Sequence, residues 1–250
     1  MRRILPLLCI VYLLFSCGSD DIPEPVETKP NYFPDTIGSR WVYRSVDEQE
    51  WTREITDRKD IQNNNYQTFN YTPTDFETDT DILKPKYFRV TQDNILFNVN
   101  DKIDQYIQTE LPKSVQDDFA GLDIKVLTEQ ISYPDLVFLH LPLTPDFNWE
   151  AFDIEIQGNL ILQNLTLLHI PFEVMINIEA EVLGVGLTET PTGSFEDTYQ
   201  IEYQIETAHT VFSEEDSFIQ TYIIWFTPHV GIVKIEDDRD VSDLIEYILK

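Results

Sequence analysis

The sequence predicts an all-β, mainly antiparallel protein built on a single curved sheet, barrel-like or half-barrel, with a two-sheet β-sandwich as the alternative. Three observations support this class: long segments alternate apolar and polar residues, the connections between them are short, and helical periodicity is almost absent. About ten strands with one apolar face must curl over that face or stack on a second sheet.

The clearest alternation lies in the second half of the chain, at residues 173–182 and 198–206. The apolar positions are Val174, Ile176, Ile178, Ala180 and Val182 in the first stretch, where Met175 breaks the polar series, and Tyr199, Ile201, Tyr203 and Ile205 in the second. A period of two over this length predicts half-buried antiparallel strands. We expect both apolar stripes on the same concave face, because the acid and amide stripes then remain in water.

The remaining elements follow from shorter patterns. Further strands are predicted at 40–46, 51–57, 87–91, 95–99, 153–157, 160–162, 218–226, 231–236 and 244–249. Short helices are predicted at 111–122 and, as an alternative to the last strand, at 241–250. Residues 63–65 and 72–81 are interpreted as loops, and Gly184 with Gly186 as a bend at a strand end. Because the connections are short, neighbouring strands should pair as hairpins in a meander.

The N-terminus has the pattern of a secretory signal peptide. Arg2 and Arg3 precede a mostly apolar run at 4–15. This run is too short for a permanent membrane helix of about 20 residues, but it has the size of a signal-peptide core of about 7–15 residues. An ordinary secretory peptide with an incidental cysteine is the alternative to the interpretation that follows.

Leu14-Phe15-Ser16-Cys17 resembles the lipobox of bacterial lipoproteins, with the bulky Phe15 as a departure. In that family the cysteine thiol is lipidated, the chain is cut before the cysteine, and the new amine is acylated. The resemblance implies that residues 1–16 are a lipoprotein signal peptide and that Cys17 carries the membrane anchor. Two or more acyl chains give a stable hold on a membrane, whereas one chain gives a marginal and reversible hold.

Residues 17–31 have the composition of an acidic, proline-rich tether. Residues 18–21, GSDD, resemble the acidic tract of surface-exported lipoproteins of Bacteroidetes-type bacteria; a solvated polar tether is the alternative. Three prolines at 22–30 favour a semi-extended spacer that could lift a domain about 30–40 Å from the lipid. We therefore expect residues 32–250 to form a single β-rich domain.

The chain is strongly acidic. It has 17 Lys and Arg against 45 Asp and Glu, and loss of Arg2 and Arg3 with the signal peptide would change the net charge from −28 to −30. Such a surface repels phosphate backbones, so no nucleic-acid partner is predicted. The acidity indicates either solubility in a salty medium, which we favour, or binding of divalent cations or a cationic partner.

No pattern in the chain predicts a catalytic, cofactor-binding or metal site. Cys9 would leave with the signal peptide and Cys17 would be lipidated, so no disulfide, thiolate metal site or cysteine nucleophile is expected. Nucleophile-elbow, zinc-protease, P-loop and dinucleotide motifs are absent from the sequence. The four histidines, His140, His169, His209 and His229, are scattered. Asp75, Glu77, Asp79 and Asp81 alternate in a stretch without the spacing of a calcium-binding loop, and we interpret it as a solvated loop.

Four sequence blocks carry a resemblance that spans nearly all of the mature chain. They are Tyr32-Phe33-Pro34 with Gly38, Trp41 and Tyr43; Leu141-Pro142-Leu143 with Trp149; PTGSFED at 191–197; and WFTPHVGIVK at 225–234. In this order they resemble a family of uncharacterised β-rich envelope lipoproteins of Bacteroidetes-type bacteria, although the glycine usual before the mid-chain tryptophan is missing here. The resemblance implies an outer-membrane lipoprotein of a Gram-negative bacterium, periplasmic or surface-exposed, and no established activity.

The blocks also predict local structure. Gly38 and Gly193 have the positions of strand-entry turns, and residues 228–231 should turn one strand back into the next. Trp41, Tyr43, Trp149 and Trp225 are more typical of core anchors than of binding-site aromatics.

The sequence therefore favours a non-enzymatic binding or structural module over the alternative, a hydrolase with an unrecognised carboxylate or histidine site. Its partners would be membrane lipid, through acylated Cys17, and a protein, peptide or apolar ligand. The volume and lining of any cavity under the sheet should discriminate between these functions.

Overall fold

The computed structural model describes residues 32–74, 81–115, 123–128, 132–162, 168–238 and 240–250. The predicted signal peptide, Cys17 and the tether lie outside these residues. Within them, 13 strands form one antiparallel sheet that does not close into a barrel. The all-β class and the single curved sheet are thus confirmed, and the strands do not divide into the two sheets of the alternative sandwich.

The strands follow the chain mostly as a meander. They are β1 (Arg40–Ser45), β2 (Glu50–Ile61), β3 (Asn64–Thr72), β4 (Tyr87–Val90), β5 (Asn94–Asn98), β6 (Ile124–Thr128), β7 (Leu136–His140), β8 (Asn148–Leu162), β9 (Leu168–Thr190), β10 (Gly193–Val211), β11 (Glu214–Thr227), β12 (Gly231–Asp237) and β13 (Val241–Ile248). Their order across the sheet is β6-β8-β9-β10-β11-β12-β13-β1-β2-β3-β4-β5-β7, so β6 and β7 are the two edges.

Residues 100–114 form the helical segment. It consists of α1 (Asn100–Gln105), a π-helical turn (Tyr106–Glu110) and α2 (Leu111–Ser114). The prediction of a helix at 111–122 was therefore misplaced at its start, and residues 116–122 lie outside the described residues. The C-terminal segment is the strand β13, because it pairs with β1 and β12, and the helical alternative was wrong.

Other boundaries also differ from the sequence prediction. β8 is one strand where two were predicted, and β3, β6 and β7 were not predicted. Asn64 and Asn65, interpreted as loop residues, open β3 opposite Ile61 and Asp60. Gly184 and Gly186 do not end a strand, because β9 continues past them to Thr190 and a bulge adjoins Gly184.

The two apolar stripes lie on one face, as predicted. Ile178 faces Ile205, Ala180 faces Tyr203 and Val182 faces Ile201 across the β9–β10 ladder, and all six side chains are buried. Directly opposed residues of an antiparallel pair share a face. This face is the inner, concave face of the sheet.

An aromatic core fills most of the inner face. Phe33 lies at its centre, with ring centroids 5.3 Å from Phe88 and 6.2 Å from Phe226. Trp41, Tyr43 and Trp149 are buried as core anchors. Trp225 is only half-buried, and its ring packs under Lys234 at 4.5 Å.

Side chains hold the edge strand β7 over the inner face. The Trp149 indole N–H donates to the Val137 carbonyl at 2.8 Å, and the Tyr203 hydroxyl donates to the Phe138 carbonyl. The Phe138 and Tyr203 rings also stack. These contacts join β7 to β8 and β10, which lie toward the other edge of the open sheet.

Antiparallel pairing gives the sheet two ends. The N-terminal end carries Tyr32, the β9–β10 and β11–β12 turns and Lys250; the His229 N–H donates to the Tyr32 carbonyl at 3.0 Å. The helix end carries the helical segment and the β10–β11 turn. The predicted turns are present at the N-terminal end: Gly38 has φ 90°, and His229 and Gly231 have φ 66° and 103°.

Candidate functional site

A pocket of about 430 Å³ lies on the inner face at the helix end, between the helical segment and strands β9–β11. It is lined by Asp81, Ile82, Lys102, Ile103, Tyr106, Glu110, Ile176, Ile205, Thr207, His209, Asp216, Phe218, Gln220 and Tyr222. Its volume is within the range of small-molecule sites, which is about 300–1,000 Å³. The exposed Asp216 and Phe218 mark its opening to solvent.

The apolar wall is built by the same alternation that builds the core. Ile176 on β9, Ile205 on β10 and Tyr222 on β11 extend the inner stripes to the helix end. Ile103 on α1 faces them across the pocket. Tyr106 lines the pocket where the chain changes from α-helix to π-helix, an irregularity that is frequent at functional sites.

Buried polar groups lie within this apolar wall. Lys102, Asp81 and Thr207 are each almost fully buried. The Asp81 carboxylate accepts the Leu83 N–H at 2.9 Å and lies 3.0 Å from the Lys84 ammonium. The interpretation of this stretch as a solvated loop was therefore wrong for Asp81. The other three acids, Asp75, Glu77 and Asp79, lie outside the described residues.

Within the pocket lining, His209 has a ring nitrogen without a hydrogen-bond partner among the described residues. Its Nδ1 is buried and forms no hydrogen bond with any other group of the described residues. The residue faces Val174 on β9 and Asp216 on β11. An unsatisfied buried polar atom costs about 1–3 kcal/mol, so a bound molecule that supplies the missing hydrogen bond would be favoured.

Tyr106 provides a second polar group, and it stays protonated. Burial, followed by the nearby carboxylates of Asp216 and Glu110, raises the pKa of Tyr106 to about 12. At neutral pH its phenol is therefore an uncharged hydrogen-bond donor and acceptor. The Glu110 carboxylate is itself 2.8 Å from the Lys113 ammonium, so one acid at the opening is already paired.

The arrangement can bind a molecule, and the His209 imidazole is held without a hydrogen bond to its Nδ1 atom from the described residues. A catalytic imidazole is oriented by a hydrogen bond to its second nitrogen. The Nδ1 atom of His209 has no such bond within the described chain. In the same residues, no group of three or more His, Cys, Asp or Glu could hold a metal ion.

The structure places the sequence-predicted candidates apart. Cys17 lies outside the described residues. Of the four histidines, His209 lines the pocket, His169 is exposed, His140 packs against Phe147 and His229 against Tyr32. Sequence reasoning missed the pocket although a signal was present: the inner positions of β10 change from Ile201, Tyr203 and Ile205 to Thr207 and His209. Polar residues in register with an apolar stripe need hydrogen-bond partners from the protein, from water or from a ligand.

No helix among the described residues is both long and apolar enough to cross a membrane.

Comparison with known proteins yields only distant structural neighbours. No known protein family matches the chain, and no curated protein is similar to it in sequence. A predicted lipoprotein from Parabacteroides distasonis is 13% identical, with a TM-score of 0.42 over 88% of this chain and 99% of the other. A predicted exported protein with a YmcC-like fold from Bacteroides fragilis is also 13% identical, with a TM-score of 0.40 and the same coverage.

Proposed function

We propose that this chain is an envelope lipoprotein, anchored through acylated Cys17, that binds a small amphipathic molecule in the pocket at the helix end. The observation that carries the binding function is the buried, unpartnered Nδ1 of His209 in the lining of this pocket. The lipobox-like sequence at 14–17 and the proline-rich segment after it support the anchor. By this interpretation the protein resides in the outer membrane of a Gram-negative bacterium, on its periplasmic or outer surface.

The position of the pocket fits an anchored binding module. The described chain begins with Tyr32 at the N-terminal end, whereas the pocket lies at the helix end. A tether attached at Tyr32 therefore leaves the pocket accessible from the aqueous side. The ligand would reach it from solution rather than directly from the anchoring leaflet.

The lining restricts the chemistry of the ligand. Ile103, Ile176 and Ile205 offer apolar contact, and His209 on β10 and Tyr106 on the helical segment offer hydrogen bonds. The net charge of −28 repels anions over the whole surface. We therefore infer a ligand that carries no negative charge and has an apolar body and a hydroxyl or amide group.

A neutral apolar dye tests the binding function. The wild type should bind N-phenyl-1-naphthylamine with increased fluorescence, and 1-decanol should displace the dye. Ile205→Phe, which fills the pocket, should weaken dye binding at least tenfold. Ile219→Phe on the exposed side of β11 is the matched control and should bind as the wild type does. Failure of the wild type to bind the dye, or equal binding by both variants, would overturn the proposal in favour of a structural role.

Mass spectrometry of the membrane fraction tests the anchor. The mature protein should begin at a lipidated Cys17, and Cys17→Ser should be found in a soluble or unprocessed form. A processed serine variant that stays in the membrane as the wild type does would contradict the lipoprotein interpretation.

A further inference from the structure

A hairpin arm extends from the sheet at the N-terminal end. It comprises the last residues of β9 and the first of β10, residues 183–198. Leu183, Val185 and Leu187 occupy alternate positions along it, and their exposed fractions are 42%, 47% and 62%. Large apolar side chains at this exposure, close together on one strand, are unusual for a surface that faces only water.

The arm is held in place by its other contacts. The Thr192 hydroxyl donates to the Leu244 carbonyl at 2.8 Å, and the Phe195 ring packs on Tyr247. A Cβ added at Gly184 or Gly186 would meet nothing within 4 Å in the described chain. The arm is therefore fixed at its tip but uncovered along Leu183–Leu187.

The arm lies beside the place where the chain leaves toward Cys17. Val185 faces Tyr199 across the ladder, and Tyr199 lies close enough to Tyr32 for the two hydroxyls to interact electrostatically. Residues 17–31 alone separate Tyr32 from the proposed acyl chains. A segment of this length keeps the N-terminal end within a few tens of ångströms of the lipid, at about 3.1 Å per extended residue.

We infer that the arm rests on the membrane surface, with Val185 and Leu187 in the headgroup region of the leaflet that holds the acyl chains. This inference rests on the proposed anchor at Cys17. Permanent anchoring keeps the arm at high effective concentration beside the bilayer, so a small apolar contact that could not recruit the protein from solution can orient it there.

The charges beside the arm define the lipid that it fits. Glu189, Glu196 and Asp197 are exposed near its tip. Carboxylates are repelled by anionic headgroups, so the contact should be closer on zwitterionic lipid than on anionic lipid.

A fluorescent label measures the distance of the arm from lipid. With Cys17 lipidated, an introduced cysteine is the sole free thiol in the mature chain. Full-length Leu187→Cys would carry an NBD label in phosphatidylcholine vesicles containing doxyl-labelled lipid, with Val185→Cys as a second position. Phe212→Cys at the helix end is the matched control, because Phe212 is 50% exposed. Each variant should melt as the wild type does.

The expected result is a blue-shifted emission at the two arm positions and quenching several times stronger than at position 212. Phosphatidylglycerol in the vesicles should reduce this difference. Equal quenching at both ends of the molecule would overturn the inference. A blue shift that grows with protein density, without quenching by the labelled lipid, would also overturn it, because the arm would then pack on a second copy. Flotation of the vesicles separates the two proposals: protein that fails to float contradicts the anchor, and floating protein with an unquenched arm contradicts only the arm contact.

Discussion

Arg53 is a buried charge without a carboxylate partner among the described residues. Its side chain is 1% exposed, and its Nε and Nη2 atoms form no hydrogen bond within the described chain. The guanidinium carbon lies 5.0 Å from the Phe69 ring centre, 5.5 Å from Tyr71 and 5.8 Å from Trp51. Arginine remains protonated in proteins, so these rings supply the main compensation for its lost hydration.

Arg53→Met should stabilise the protein. Methionine has a similar volume and needs no hydrogen bonds. Even a buried ion pair can often be replaced by well-packed apolar residues with a gain of about 1–4 kcal/mol. Chemical denaturation measures the free energy of unfolding, and Arg58→Met, on the exposed part of β2, should change it by less than about 0.5 kcal/mol. A loss of stability in Arg53→Met would mean that the ring contacts, or a bound anion or water, more than offset the cost of burying the guanidinium.

Ile178 and Ile176 are successive inward-facing residues of β9, and the boundary between the core and the pocket lies between them. Ile178 is fully buried and does not line the pocket, whereas Ile176 does. Ile178→Ala should lower the free energy of unfolding by about 2–5 kcal/mol, and Ile176→Ala by less than about 2 kcal/mol, because the second truncation enlarges an existing cavity. Ile201→Ala on β10 should behave as Ile178→Ala does. Equal losses at both β9 positions in urea denaturation would show that the pocket is closed in solution.

At the scale of the element, sequence periodicity predicted strands where one face is apolar and the other polar, as in β9 and β10. It missed β3 because the buried residues Tyr66, Phe69 and Tyr71 do not keep a period of two. The register shifts opposite Phe69, at a bulge between Ile55 and Asp57 of β2. It also missed the five-residue strands β6 and β7, although it found β4 and β5, which are at least as short. The pocket was not predicted because it forms between the helical segment and strands β9–β11, which follow that segment by more than 50 residues in the sequence.

Gly158 in β8 makes the pairing of β6 possible. A Cβ at this position would clash with the Leu127 carbonyl oxygen and with the Phe172 ring. Gly158→Ala should therefore destabilise the protein by about 1–3 kcal/mol, and hydrogen exchange should be fastest in β6. Gly184→Ala, where a Cβ meets nothing within 4 Å in the described chain, should be neutral or stabilising by up to about 1 kcal/mol. A tolerated Gly158→Ala would show that β6 is not paired as described.

At the scale of the whole molecule, carboxylates oppose one another across the outer face. Glu181 lies directly opposite Glu202, and Glu150 directly opposite Glu179. Like charges at opposed positions destabilise a ladder. The net charge of −28 thus lowers stability through these opposed carboxylate pairs as well as through the overall negative potential.

The melting temperature should rise between low salt and about 0.5 M NaCl, because screening weakens this repulsion. A flat or falling melting temperature would contradict the expectation and indicate carboxylates that are already compensated. MgCl₂ at equal ionic strength is the control: a larger rise than with NaCl would identify cation binding by the outer face.

If the chain is anchored as proposed, the capped edge of β7 has a consequence at the membrane surface. Lipoproteins confined to one leaflet meet their neighbours far more often than freely diffusing molecules do, and an open strand edge is a template for pairing with another chain. Here the carbonyls of Val137 and Phe138 already accept bonds from Trp149 and Tyr203. A strand of a neighbouring molecule would therefore find these two carbonyls already hydrogen-bonded. We expect β7 to resist edge-to-edge pairing with other copies, even at high density in the membrane.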